Sequence, residues 1–252
     1  MTGHITPEMK YVVDQLVPCY GVDGRQRLKP AAFMDMAQEI AYLAAGAMHF
    51  GYDELASGGT AWVLSRICFR FLETPSWRDE VSLYTWHKGP YGPFYVRDFS
   101  LEGKDGRKLV AATSSWVILD VASRRMMRTN EITEMIPEST VCHEDAIAEP
   151  ASKVMIPRGA ATEEAGEHVV AYSDVDLLGH TNNARYVVWA MDCIPYEVAA
   201  EKEISDVSVN FNHETRPGDV VKMVRYREGD VFFVEGLAQD KAAFCAKIVF
   251  KA

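Results

Sequence analysis

Between Tyr172 and Tyr186 the chain reads Tyr-Ser-Asp-Val-Asp-Leu-Leu-Gly-His-Thr-Asn-Asn-Ala-Arg-Tyr. Two carboxylates (Asp174, Asp176), an imidazole (His180) and two carboxamides (Asn182, Asn183) fall within ten residues. A carboxylate or imidazole within hydrogen-bond reach can activate a water for attack on a carbonyl. Positioned N–H donors can hold the oxyanion that forms. Gly179 permits a tight or left-handed backbone, and Asn182 or Asn183 can cap the helix expected to follow. The first-turn N–H groups of that helix would then favour negative charge. The structural alternative gives Asp174 and Asp176 a turn, Asn182 a cap and His180 a link.

These residues need a scaffold, and the sequence predicts the same scaffold twice. Residues 28–50 are rich in Ala, Met and Leu, with Phe33, Met36, Ala37, Ile40 and Ala44 at helical spacing. That helix is apolar on most faces, so a sheet is expected to wrap it. Strand-like runs follow at 60–71, 80–87, 94–102 and 109–120. Lys104-Asp105-Gly106 suits a hairpin turn between the last two. The second half repeats the order, with a helix over 183–199 and strands over 207–214, 220–227, 231–238 and 244–250. Glu73-Thr74-Pro75 before Asp79-Glu80-Val81 echoes Glu214-Thr215 before Pro217-Gly218-Asp219-Val220. The expected fold class is α+β, a duplicated (double) hot-dog in which each unit is a long buried helix wrapped by an antiparallel sheet. The units span 1–136 and 167–252, joined by a linker at 137–166 that is dense in Glu, Ala and Pro and lacks periodicity.

Composition narrows the partners. Hydrophobic residues make up 48% of the 252, and charged residues 25%, as in a globular protein with a sizeable core. A net charge of -10 argues against nucleic acid and against an anionic membrane surface. Five cysteines, none in a Cys-x-x-Cys pair, suggest neither a disulfide framework nor a zinc site. The first ten residues hold no apolar stretch, and no run approaches a membrane span, so a reducing cytoplasm is the expected compartment.

The stretch at Ser173–Trp189 closely resembles the acyl-acyl carrier protein (ACP) thioesterases of plant plastids and their bacterial relatives, whose pattern runs Asp-x-Asp-x-Asn-Gly/Gln-His-x-Asn-Asn-x-x-Tyr-x-x-Trp. Here Asp174, Asp176, Gly179, His180, Asn182, Asn183, Tyr186 and Trp189 match it. Trp62-Val63-Leu64-Ser65-Arg66, Pro75-Ser76-Trp77, Thr85-Trp86, Arg97-Asp98-Phe99 and Ser115-Trp116-Val117 look like that family's landmarks in the first half. The resemblance implies hydrolysis of fatty acyl-ACP to free fatty acid and carrier thiol, with no metal and no organic cofactor. It also implies that Asp176 and His180 are catalytic and that Glu214 is the family's acidic residue. Glu214 would orient or deprotonate water, His180 would engage the thioester carbonyl or the water, and Asp176 would fix the loop. The family's Asn two residues before the His is replaced by Leu178. Asn182, as an oxyanion or substrate contact, or a backbone group would have to supply that contact, or the activity differs. Alternatives are an acyl-coenzyme A thioesterase and a non-catalytic acyl-thioester binder.

The resemblance further implies that the first unit holds the acyl chain and the second supplies the catalytic group. Met34, Met36 and Met48 are candidate pocket liners or plain core. An acidic carrier on an acidic enzyme needs a local basic patch, for which Arg124, Arg125 and Arg128 are candidates. The alternative is a solvated loop pairing with Glu131 and Glu134. A homodimer is compatible with the sequence. Cys68 and Cys193 suit small core positions, His49, His87, His143 and His168 stand isolated, and His213 either orients Glu214 or sits exposed on a strand. Ser114-Ser115 lacks a nucleophile elbow.

Overall fold

The computed structural model describes residues 3–129 and 136–251. Its strands are β1 His4–Ile5, β2 Tyr11–Leu16, β3 Thr60–Phe71, β4 Glu80–Tyr91, β5 Phe94–Gly103, β6 Lys108–Asp120, β7 Glu163–Val169, β8 Ile204–Phe211, β9 Val220–Glu228, β10 Val231–Ala238 and β11 Lys241–Phe250. Its helices are α1 Pro30–Ala47, α2 Tyr52–Ser57, α3 Asn183–Asp192 and α4 Tyr196–Glu201.

All these strands join one antiparallel sheet in the order β1-β2-β4-β5-β6-β3-β8-β11-β10-β9-β7. Apart from β1, that order is a palindrome about the β3–β8 seam. It pairs β2 with β7, β4 with β9, β5 with β10, β6 with β11 and β3 with β8, as a duplication related by a local two-fold requires. The sheet curls round α1 and α3, which pack on each other inside it. Phe33, Met34, Ala37, Ile40 and Ala44 of α1 are buried with Phe69, Phe99, Phe232 and Phe244 from the sheet. The α+β double hot-dog is therefore the observed fold. Among the described residues, no helix is long and apolar enough to cross a membrane.

Several expected boundaries move for identifiable reasons. The first helix starts at Pro30, whose missing N–H is harmless at a first helical position. It stops before His49, which takes a φ of 63°. The second helix is not continuous over 183–199. It ends after Asp192, and Pro195, which has no N–H to continue the ladder, separates it from α4. The strand expected over 207–214 ends at Phe211, placing Glu214 in the following turn rather than on a strand. The strands β2 and β7 at the two ends of the palindrome were not anticipated, and β7 starts inside the stretch read as a connection. The Lys104-Asp105-Gly106 hairpin forms as expected, with Gly106 at a φ of 78°. Glu131 and Glu134, named as alternative partners of the arginine-rich loop, lie outside the described residues.

Candidate active site

The turn before α3 is built by Asp176. Its N–H donates to the His180 carbonyl at 2.9 Å, and its carbonyl accepts from Gly179 N–H at 3.0 Å. Its Oδ1 accepts from Leu178 N–H at 2.9 Å and, more weakly, from His180 N–H at 3.4 Å. Gly179 sits at a φ of 77°, the left-handed region that glycine enters without strain. Asn182 caps α3. Its Oδ1 accepts from Ala184 N–H at 2.8 Å and from Gln38 of α1 at 3.0 Å, so only its amide nitrogen is left to meet a substrate.

Beneath the turn, Asp174 is buried and hydrogen-bonded to Ala171 N–H at 2.8 Å, His168 at 2.7 Å and Arg185 at 3.0 Å. Burial raises its pKa, but those three donors outweigh burial and hold the carboxyl below the usual range. His168, isolated in sequence, is thus one wall of the loop's foundation. The first of the two acids is structural, as its burial requires.

A second buried knot fixes the turn after β8. Thr181 Oγ1 and Thr215 Oγ1 are 2.7 Å apart, and Tyr186 Oη lies 2.9 Å from Thr215 Oγ1 while accepting Thr215 N–H at 3.1 Å. Thr181 N–H also donates to the Thr215 carbonyl at 3.0 Å. The knot locks the neighbours of Glu214 to the neighbours of His180.

At the surface above it, Glu214 Oε2 lies 3.5 Å from His180 Nε2. Glu214 Oε1 accepts from Arg216 at 2.9 Å and from Arg124, which reaches across from the turn after β6. Burial pushes the Glu214 carboxyl up, but Arg124, Arg216 and the neighbouring His180 hold it below the ordinary glutamate range. Arg216 also lies 3.3 Å from His180 Nε2. Asp176, His180 and Glu214 therefore converge. Of the three arginines expected as a basic lip, Arg124 turns to Glu214, whereas Arg125 and Arg128 are exposed. His213 is exposed beside the same site. Arg216, Thr215 and Tyr186 were not anticipated as parts of it.

The site opens into a cavity of about 720 Å³ between α1 and the sheet. It is lined by Gln38, Ala41, Tyr42 and Ala45 on α1, by Trp62 and Trp116 on the sheet, and by Leu178 at the rim. Met34, Met36 and Met48 are not among its liners, a correction to the expected pocket. The cavity face of α1 follows the 38, 41, 42, 45 spacing, whereas Met34 is turned into the core and Met48 packs with Phe50 and Leu55.

The first unit repeats this turn. Asp23 N–H donates to the Arg27 carbonyl at 2.9 Å, and Asp23 Oδ1 accepts from Arg25 N–H at 2.8 Å and Arg27 N–H at 2.9 Å. Gln26, at a φ of 65°, stands where Gly179 does. Arg27 stands where His180 does, and it donates to the carbonyls of Ala199, Ala200 and Lys202 at the end of α4. Leu28 N–H donates to Pro75 as Thr181 N–H does to Thr215, so Thr74, not Glu73, is the counterpart of Glu214.

The fold and cavity define a double hot-dog protein with its polar cluster in the second unit. The same architecture is found in solved structures of an acyl-ACP thioesterase from Bacteroides thetaiotaomicron (TM-score 0.86, 24% identity, 98% of this chain and 100% of that one) and of the 12:0-ACP thioesterase from Umbellularia californica (TM-score 0.84, 19% identity, 96% and 97%). The family models for the acyl-ACP thioesterase N-terminal and C-terminal domains match residues 8–136 and 159–245. The chain belongs to the acyl-ACP thioesterase family. A curated relative, the chloroplastic oleoyl-acyl carrier protein thioesterase of Coriandrum sativum, is 24% identical over 247 residues, which is 90% of this chain and 66% of that protein.

Proposed function

We propose that this chain hydrolyses fatty acyl thioesters carried by acyl carrier protein, adding water across the carbonyl carbon–sulfur bond to give free fatty acid and carrier thiol. The observation that carries this reading is the convergence of His180 and Glu214, 3.5 Å apart, at the mouth of a cavity of about 720 Å³. Glu214, held ionised by two guanidinium groups, orients the attacking water. His180 takes its proton and returns it to the departing thiolate. The N-terminal end of α3 favours the oxyanion. Asp176 shapes the turn that presents His180. The first unit, residues 1–136, holds most of the acyl chain, and the second, 167–252, supplies the catalytic groups. The five free cysteines suit a reducing cytoplasm as the compartment.

Leu178 favours a second reading, a binder of acyl thioesters without turnover, because it stands where the family pattern has a hydrogen-bonding Asn. Thiol release from acyl-ACP separates the two. Hydrolysis predicts that Glu214→Gln and His180→Ala each lose about 10²–10⁴-fold in rate with the fold retained. A wild-type rate no faster than these variants leaves the binder. A matched acyl-coenzyme A substrate turned over faster than acyl-ACP would overturn the carrier.

A further inference from the structure

The cavity follows one rim of the sheet, and its lining changes character at the Glu214 turn. Toward the first unit the rim runs from β8 to β3, β6 and β5, and Trp62 and Trp116 stand there with Ala41 and Ala45 of α1. Toward the second unit it runs from the end of β8 to β11, β10 and the start of β9, where Asn212, His213, Asp219, Gln239 and Lys241 line it. β11 and β10 lie one and two strand spacings beyond β8, so this polar rim reaches about 10 Å from the Glu214 turn.

The rim is held by its own backbone. Asn212 and His213 both donate N–H to the Ala243 carbonyl, at 2.8 and 3.2 Å, which fastens the turn carrying Glu214 to β11. Gln239 and Asp240 join β10 to β11 at φ of 50° and 62°, the left-handed pair that a two-residue hairpin turn needs. Gln239 Nε2 donates to Asp219 Oδ1 at 3.3 Å, and Asp219 Oδ2 accepts from Arg216 N–H at 2.8 Å, so that carboxylate is spent on the frame. Asn212, His213 and Lys241 are exposed, and among the described residues no hydrogen bond or ion pair engages their side chains. Arg124 and Arg216 are committed to Glu214, so Lys241 is the cation of this rim left for an anion.

A carrier thioester divides in the same way. Its carbonyl bears an alkyl chain, and its sulfur bears a phosphopantetheine arm of amides, a hydroxyl and a phosphate. With the alkyl chain lying toward Trp62, the sulfur points along the polar rim. We propose that the rim from Asn212 to Lys241 seats this arm, with Lys241 taking its phosphate. This rests on the reading that a carrier thioester is the substrate, but not on turnover.

The test is calorimetric binding of thioethers, which the intact protein cannot hydrolyse, with one alkyl group carried on N-acetylcysteamine, on pantetheine and on 4′-phosphopantetheine. Affinity should rise about two- to tenfold from the first to the second, as one neutral hydrogen bond allows. It should rise a further two- to fivefold or so with the phosphate at low salt, as an exposed ion pair allows, and this second step should shrink as salt is added. Lys241→Met removes the second step, and Lys241→Glu turns it into a loss. The same alkyl group on carrier protein and on coenzyme A brings the same arm, so Lys241→Met should weaken both, and the tighter of the two in the wild type identifies the source. Equal binding of the pantetheine and phosphopantetheine thioethers overturns the proposal, as does a phosphate step that survives Lys241→Met. Failure to hydrolyse any thioester would sink the proposed reaction and leave these binding results intact.

Discussion

Arg124, in the turn that closes β6, ion-pairs with Glu214, in the turn that follows β8, so a guanidinium of the first unit meets the acidic residue of the second at the cavity mouth. Arg216 takes the same oxygen of that carboxylate, leaving the other to His180. The arrangement keeps Glu214 charged and weakens it as a base.

Removing one guanidinium should show in the pH profile. Arg124 is the largest of the influences lowering the Glu214 pKa. In Arg124→Ala that pKa rises, so the acidic limb of the kcat/KM profile moves to higher pH. The pair is solvent-exposed, so stability changes by less than about 1 kcal/mol. An unmoved limb would mean that Arg124 does not tune Glu214.

The threonine–tyrosine knot predicts a different signature. Tyr186→Phe removes a hydroxyl that serves both the N–H and the side chain of Thr215. Thr215 Oγ1 keeps Thr181, but leaving the buried Thr215 N–H unpaired costs about 1–3 kcal/mol. Because the knot places Glu214 beside His180, kcat should fall while KM changes little. A variant with lowered stability and unchanged kcat would reduce the knot to a packing feature.

Leu178 is half-exposed on the cavity rim, and its backbone N–H is already engaged by Asp176. Leu178→Asn adds a polar side chain without disturbing that bond. Thiol release should rise by up to about tenfold, less than the 10²–10³ of an optimised oxyanion donor. A fall in rate would indicate that the leucine belongs to the acyl-chain wall.

His87 couples the fold to acid. Its folded pKa of about 3 lies below the ordinary 6.5. As pH falls, the unfolded chain therefore takes up the proton first. The associated stability is intact above about 6.5 and is lost progressively between there and about 3, with a slope approaching 1.4 kcal/mol per pH unit. Denaturant midpoints measured across that window should show this slope in the wild type and its loss in His87→Gln. Parallel curves would mean that His87 becomes protonated within the native state.

Much of this organisation can be read in the chain before it folds. The runs that become β3 to β6 are long and rich in β-branched and aromatic residues, so period and composition agree. The acids and imidazole before α3 announce themselves by density. The pairing of Arg124 with Glu214 cannot be read this way, because ninety residues separate them and only the β3–β8 seam makes them neighbours. Edge strand β7 is largely exposed and bulged near Gly166, so its sequence carries little alternation to detect. Pro195 was visible, and its power to stop a helix outweighs the apolar spacing on either side. The repeated turn was obscured because Arg27 and His180 are chemically unlike, although the backbone hydrogen bonds of the Asp23 and Asp176 turns match, with Arg27 adding a side-chain bond to Asp23.

Two identical chains related by a two-fold axis would show every residue twice, and with it two equivalent reaction centres. Here the Asp23 turn carries Arg27 where the Asp176 turn carries His180, and that arginine clamps α4. Under the proposed reaction, one acyl group per polypeptide is the expected occupancy. Titrated with a slowly cleaved thioester, the protein should bind one equivalent per chain, however those chains associate.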